Sequence, residues 1–205
     1  MAHAVARTPP NATRALGLAG ILGGLVLVAA FVVSPGLGLN IVRLVVFSLG
    51  AIAVIVGVHR WQAPAGRNLS LAAAIPAIAA NAWFLAMVML SIGRPQPPAA
   101  DVDFRLVAFY ADVALWLTDA AFALVALRLG VVQRWAALAL AVGSIVAIAG
   151  IDRLGLVTGA YGSIVSVLAQ TGVALAGLGW ILLGIGLVTS RPGVDRGAAE
   201  SPPAR

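Results

Sequence analysis

The stretch "FYADVALWLTDAAF" (residues 109–122) places Asp112 and Asp119 inside a run that otherwise has the composition of a membrane-spanning helix. Extended to residues 106–127, the run holds ten strongly apolar side chains: five Leu, three Val and two Phe. Together these favour insertion by roughly 3 to 6 kcal/mol, while each Asp near a helix centre opposes it by about 2.5 to 3.5 kcal/mol. The two sides nearly cancel. The helix is therefore expected to sit in a bilayer only with its carboxyls turned toward other helices or water. A helical turn permits that, because residues seven apart lie within about 20° of one face and about 10 Å apart along it. Trp116 falls between the two acids on the same face, so the polar residues form one stripe.

The rest of the chain has the same character. Of 205 residues, 61% are hydrophobic and 10% charged, where a soluble domain has about 45 to 50% and about 25%. Apolar runs bounded by Arg, Pro, Asn or Asp predict six spans, at 15–33, 41–58, 70–92, 106–127, 135–151 and 162–188. Each is close to the length of about 20 residues that a hydrocarbon layer of about 30 Å requires. The expected fold class is an all-α membrane protein, a bundle of six transmembrane helices forming one polytopic domain over residues 1–190. The intervening "SPGLGLN" (34–40) and "GRPQPPAADVD" (93–103) read as turns and loops, and residues 191–205 as a disordered cytoplasmic tail. The first apolar run exceeds the roughly 7 to 15 residues of a signal-peptide core and is expected to be retained as a span.

Arginine supplies all thirteen basic residues, and its distribution predicts orientation. Nine fall on one side of the proposed spans (Arg7, Arg14, Arg60, Arg67, Arg128, Arg134, Arg191, Arg196 and Arg205) and four on or near the other (Arg43, Arg94, Arg105 and Arg153). The positive-inside rule then puts both termini in the cytoplasm of a multi-pass protein of the cell membrane. The net charge of +6 is accounted for by these span-end arginines facing lipid headgroups, and no basic stripe interleaved with aromatics suggests nucleic acid. Trp61, Trp135 and Tyr161 fall at span ends, as interfacial anchors do.

Depth along the spans selects partners for the stripe. Asp119 falls near mid-membrane, as do Asn81 and Gln170, and these three form the expected polar centre for binding. Asp112 lies closer to the outer surface, within range of Arg43 or Arg153 for an ion pair. A carboxyl as deep as Asp119 is a candidate to hold and exchange a proton. Pro76, one turn before Asn81, is expected to kink its span and free a backbone carbonyl near the centre. Gly20 and Gly24, and Gly172, Ala176 and Gly179, are expected to allow close helix contact.

Several chemistries are excluded. With no cysteine there are no disulfides or thiolate sites, and with no lysine no Schiff base forms. The two histidines, His3 and His59, cannot both enter the bundle to hold a haem. Both stripe acids share one helix, unlike the facing acids of an intramembrane aspartyl protease, and "AGID" (149–152) lacks that motif. No enzyme, cofactor or metal is expected. The expected function is that of a small transporter or permease-like protein in which Asp119 binds a proton or cation, with Asn81 and Gln170 contacting it or a small solute. The alternative is a structural or regulatory membrane subunit whose polar residues hold its own helices, a partner's span or a second copy together.

Overall fold

A computed structural model describes residues 10–33, 41–91, 102–149 and 162–189. All of this is helix except a short turn at residues 130–133. The helices are α1 (Pro10–Val33), α2 (Ile41–Ser91), α3 (Val102–Leu129), α4 (Arg134–Ala149) and α5 (Gly162–Thr189). Four of them, α1, α2, α3 and α5, are long and apolar enough to cross a membrane, while α4 is a shorter apolar helix of 16 residues. The expected loop at 93–103, the turn at 34–40 and the tail at 191–205 fall wholly or largely outside the described residues, as do Arg153 and Tyr161.

The helix count among the described residues is five, not six. Residues 59–69, expected to connect the second and third spans, stay helical, and only Gly66 departs, with φ 178° and ψ 69°. The chain nevertheless reverses there. In a straight helix His59 and Ser70 would be about 16 Å apart, yet His59 Nδ1 lies 2.9 Å from Ser70 Oγ. The Ser70 hydroxyl also donates to Gln62 Oε1 at 3.2 Å. α2 is thus two arms folded back on each other at Gly66, with polar side chains bonding across the bend.

Each helix packs on the next in sequence, and α5 packs on α1, closing a ring with a smaller contact between α2 and α5. Small residues allow the close approaches. Gly17 and Gly24 of α1 meet Gly184 and Gly177 of α5, while Gly20 and Gly23 meet Val54 and Gly50 of α2. Gly20 and Gly24 therefore serve two different neighbours, because residues four apart differ by about 40° around a helix. Gly143, Gly172 and Gly179 bring α4 and α5 into backbone contact. α3 ends at Gly130, whose φ of 67° is the left-handed conformation that suits glycine. Aromatic pairs fill the interior: Phe47 stacks on Trp116 at 6.0 Å, and Phe122 on Trp180 at 6.4 Å.

Candidate functional site

The polar stripe of α3 faces the two arms of α2. The bend at Gly66 is seated against Leu129, so the first arm and α3 run in parallel toward that end and the second arm runs back. Asp119 is ten residues from Leu129 and Asn81 fifteen from Gly66, which places both roughly 15 to 22 Å from the bend. Both side chains are fully buried. Asn81 Nδ2 donates to Asp119 Oδ1 at 3.1 Å and to the Ala77 carbonyl at 2.9 Å. Both amide hydrogens are then used. Asp119 Oδ2 and Asn81 Oδ1 are left with no partner, although buried acceptors normally find one. Thr118, next to Asp119, bonds back to the Ala114 carbonyl of its own helix at 2.8 Å and does not join the pair.

Asp112 is buried on the same stripe and has an interaction of its own. Arg43, half-buried, and Asp112 each lie one turn beyond the Phe47–Trp116 stack on parallel segments, so they occupy the same level. The other expected partner, Arg153, lies outside the described residues.

Gln170 is not brought to the pair. It is half-buried near the start of α5, and neither Asn81 nor Asp119 bonds to it. Among the described residues α5 packs on α1, α4 and part of α2, and reaches α3 through the Phe122–Trp180 stack, not through backbone contact. Gln170 lies ten residues before Trp180, as Asp112 lies ten before Phe122 on the parallel α3, so it stands at the level of Asp112, about 10 Å from that of Asp119. Nor does the carbonyl that Pro76 leaves without its helical donor, that of Ala72, enter the site; the Asn81 side chain takes Ala77, and the helix keeps its conformation at Pro76.

Four further buried groups have no hydrogen-bond partner: Ser48 Oγ, Gln62 Nε2, Ser144 Oγ and Trp180 Nε1. Ser144 lies ten residues after Arg134, as Asp119 lies ten before Leu129, so the α3–α4 hairpin sets the two at one level. The signal for Ser48 and Ser144 was a hydroxyl inside an apolar run, which is too common to single out. Among the described residues no three of His, Asp and Glu converge on a position that could hold a metal.

At the bend lies a second polar group, missed by reading His59 in isolation. With the Ser70 proton on Gln62 Oε1, His59 donates from Nδ1–H to Ser70 Oγ; turning the Gln62 amide reverses both bonds and gives its buried Nε2 a partner. Burial, and then the guanidiniums of Arg67 and Arg60, hold the imidazole below its ordinary pKa. Folding therefore favours the neutral ring. The stability this contributes is complete above the ordinary imidazole value and is lost as the pH falls below it toward the folded value. The expected result is a His59 titration midpoint lower in the folded chain than in denaturant, read by NMR of the labelled imidazole; equal midpoints would remove this pH dependence.

No protein-family model, curated protein or solved structure matches this chain.

Proposed function

We propose that this chain is a small transporter or permease-like protein of the cell membrane, in which Asp119 takes up and releases a proton or cation beside Asn81. The observation that carries the reading is the unfilled hydrogen-bonding capacity of the pair. With Asp119 ionised, one carboxylate oxygen and the Asn81 carbonyl are both acceptors facing no donor, an arrangement costly in an apolar interior. A proton on Asp119 converts one of them into a donor, and an acid and an amide present complementary edges. A small cation would satisfy the same oxygens. The site thus has capacity for one positive charge that side chains alone leave unused.

In this reading the five helices make six passes, the 16-residue α4 covering about 24 Å and crossing where the layer is locally thinned. Each α2 arm of about 25 residues spans about 37 Å, enough for a layer of about 30 Å. Six passes return both termini to one side, and the arginine asymmetry makes that side cytoplasmic. Orientation places the α2 bend and the α3–α4 turn at the cytoplasmic face and Asp112 toward the outside.

A second reading, a structural or regulatory subunit, draws support from one observation: both Asn81 amide hydrogens are already used within the bundle, as in a bond that only ties two helices. A hydrophobic carbodiimide, which attacks protonated carboxyls, separates the two. Transport requires Asp119 to be modified in native membranes, less as the pH rises, with protection by the coupling ion, when the peptides are read by mass spectrometry. A bundle in which Asp119 resists the reagent at every pH it survives is held by a fixed bond, and the transport reading falls.

A further inference from the structure

The seating of Gly66 on Leu129 also gathers charge. A Cβ built on Gly66 would stand 2.7 Å from Leu129 Cδ2, so Arg67 and Arg128 each lie one residue from the point where the α2 bend meets the end of α3. Arg60 precedes the bend by one and a half turns and Arg134 opens α4 just past the turn. All four arginines are exposed. No Asp or Glu neighbours them in sequence: none occurs before Asp101 or between Asp119 and Asp152. Two large aromatics border the same end, Trp61 at 36% and Trp135 at 79% exposure. From Trp135 an exposed apolar stripe continues down α4 through Leu138, Val142 and Ile145.

We propose that the seam between the α2 bend and the α3–α4 turn binds the phosphodiester headgroup of an anionic phospholipid, held by Arg67 and Arg128 with Arg60 and Arg134 at its rim. Guanidinium offers paired N–H donors that match two phosphate oxygens, and two such groups at one seam can share a single phosphate. The tryptophans sit where headgroup gives way to acyl chain, the position their amphipathic rings prefer. A soluble anion would use the arginines and ignore the apolar stripe. A lipid uses both. This inference does not depend on what Asp119 does.

The test is native mass spectrometry of the full chain released from detergent with equimolar phosphatidylglycerol and phosphatidylcholine. Wild type is expected to retain the anionic lipid in clear preference, and Arg67→Gln and Arg128→Gln each to reduce that preference about fivefold, the scale of one interfacial charge. Arg14→Gln, which removes one exposed charge from the start of α1, is expected to leave it within twofold. Surface arginines are replaced, so the variants should keep the elution volume and melting behaviour of wild type. Equal retention of the two lipids by wild type overturns the site. So does a loss in Arg14→Gln as large as in Arg67→Gln, which would mean diffuse charge, or displacement of the lipid by millimolar glycerol phosphate, which would mean a soluble-anion site.

Discussion

Replacing Asp119 by Asn is expected to leave the bundle folded at near wild-type stability while abolishing any pH-dependent uptake through the site. Asparagine is close in shape and keeps an oxygen to accept from Asn81 Nδ2, now at 3.1 Å from Asp119 Oδ1, but it cannot hold a transferable proton. Leucine behaves differently. Asp119→Leu leaves Asn81 with one amide hydrogen unpaired in addition to its already unpartnered carbonyl, a loss of about 1 to 3 kcal/mol for a buried orphan. Asn81→Leu leaves the carboxyl with no donor among its described neighbours and costs a similar amount or more. The double variant Asn81→Leu/Asp119→Leu should recover most of both losses, since removing both partners leaves no orphan. A hydrogen bond within a membrane is by itself worth only about 0.6 kcal/mol on average, so the cycle reads the orphan penalty. Reversible unfolding in mixed micelles measures it, and losses that simply add in the double variant would show the pair is not coupled. Proton uptake by reconstituted vesicles tests the functional half; Asp119→Asn with wild-type uptake would refute a role for this carboxyl.

The α4–α5 seam should be the least forgiving part of the fold. A Cβ on Gly172 would run into the Ala147 backbone, with its Cα at 2.6 Å and the carbonyl carbon of Val146 at 2.7 Å. One on Gly143 would meet the backbone of Ala176 in the same way. A side chain in the path could change rotamer. Backbone cannot, so the helices must part along the seam and lose the contacts made by Leu140, Ala147 and Ala176. Gly172→Val is accordingly expected at or beyond the upper end of the roughly 1 to 3 kcal/mol typical of overpacking. Gly66→Ala provides the contrast: its obstacle is the flexible tip of Leu129, and its extended φ of 178° is open to any residue, so a change under about 1 kcal/mol is expected. Unfolding midpoints of the two variants compare them directly, and similar losses would contradict the backbone contact at Gly172.

Helix type, approximate ends and the inward face of α3 were legible from the chain alone because each is local. Apolar runs of span length need helical hydrogen bonding in lipid, Pro- and Gly-rich tracts interrupt them, and the seven-residue spacing of Asp112 and Asp119 puts both on one face whatever surrounds it. Continuity of α2 was not local. The tract from His59 to Leu69 has the polarity of a loop, and it stays helical around Gly66 while Ser70 receives His59 and donates to Gln62 across the bend. Asp119's neighbour was not local either. Hydropathy gives only an approximate depth, which left Asn81 and Gln170 equivalent; the packing separates them, placing Asn81 against Asp119 and Gln170 about two turns away, level with Asp112, on a helix whose backbone packs elsewhere. That position is decided by which glycines let which backbones touch, Gly17 and Gly24 drawing α5 to α1 and Gly143 and Gly172 drawing it to α4. Spacing along one helix determines the face a side chain occupies, and only the packing of all five determines what stands opposite it.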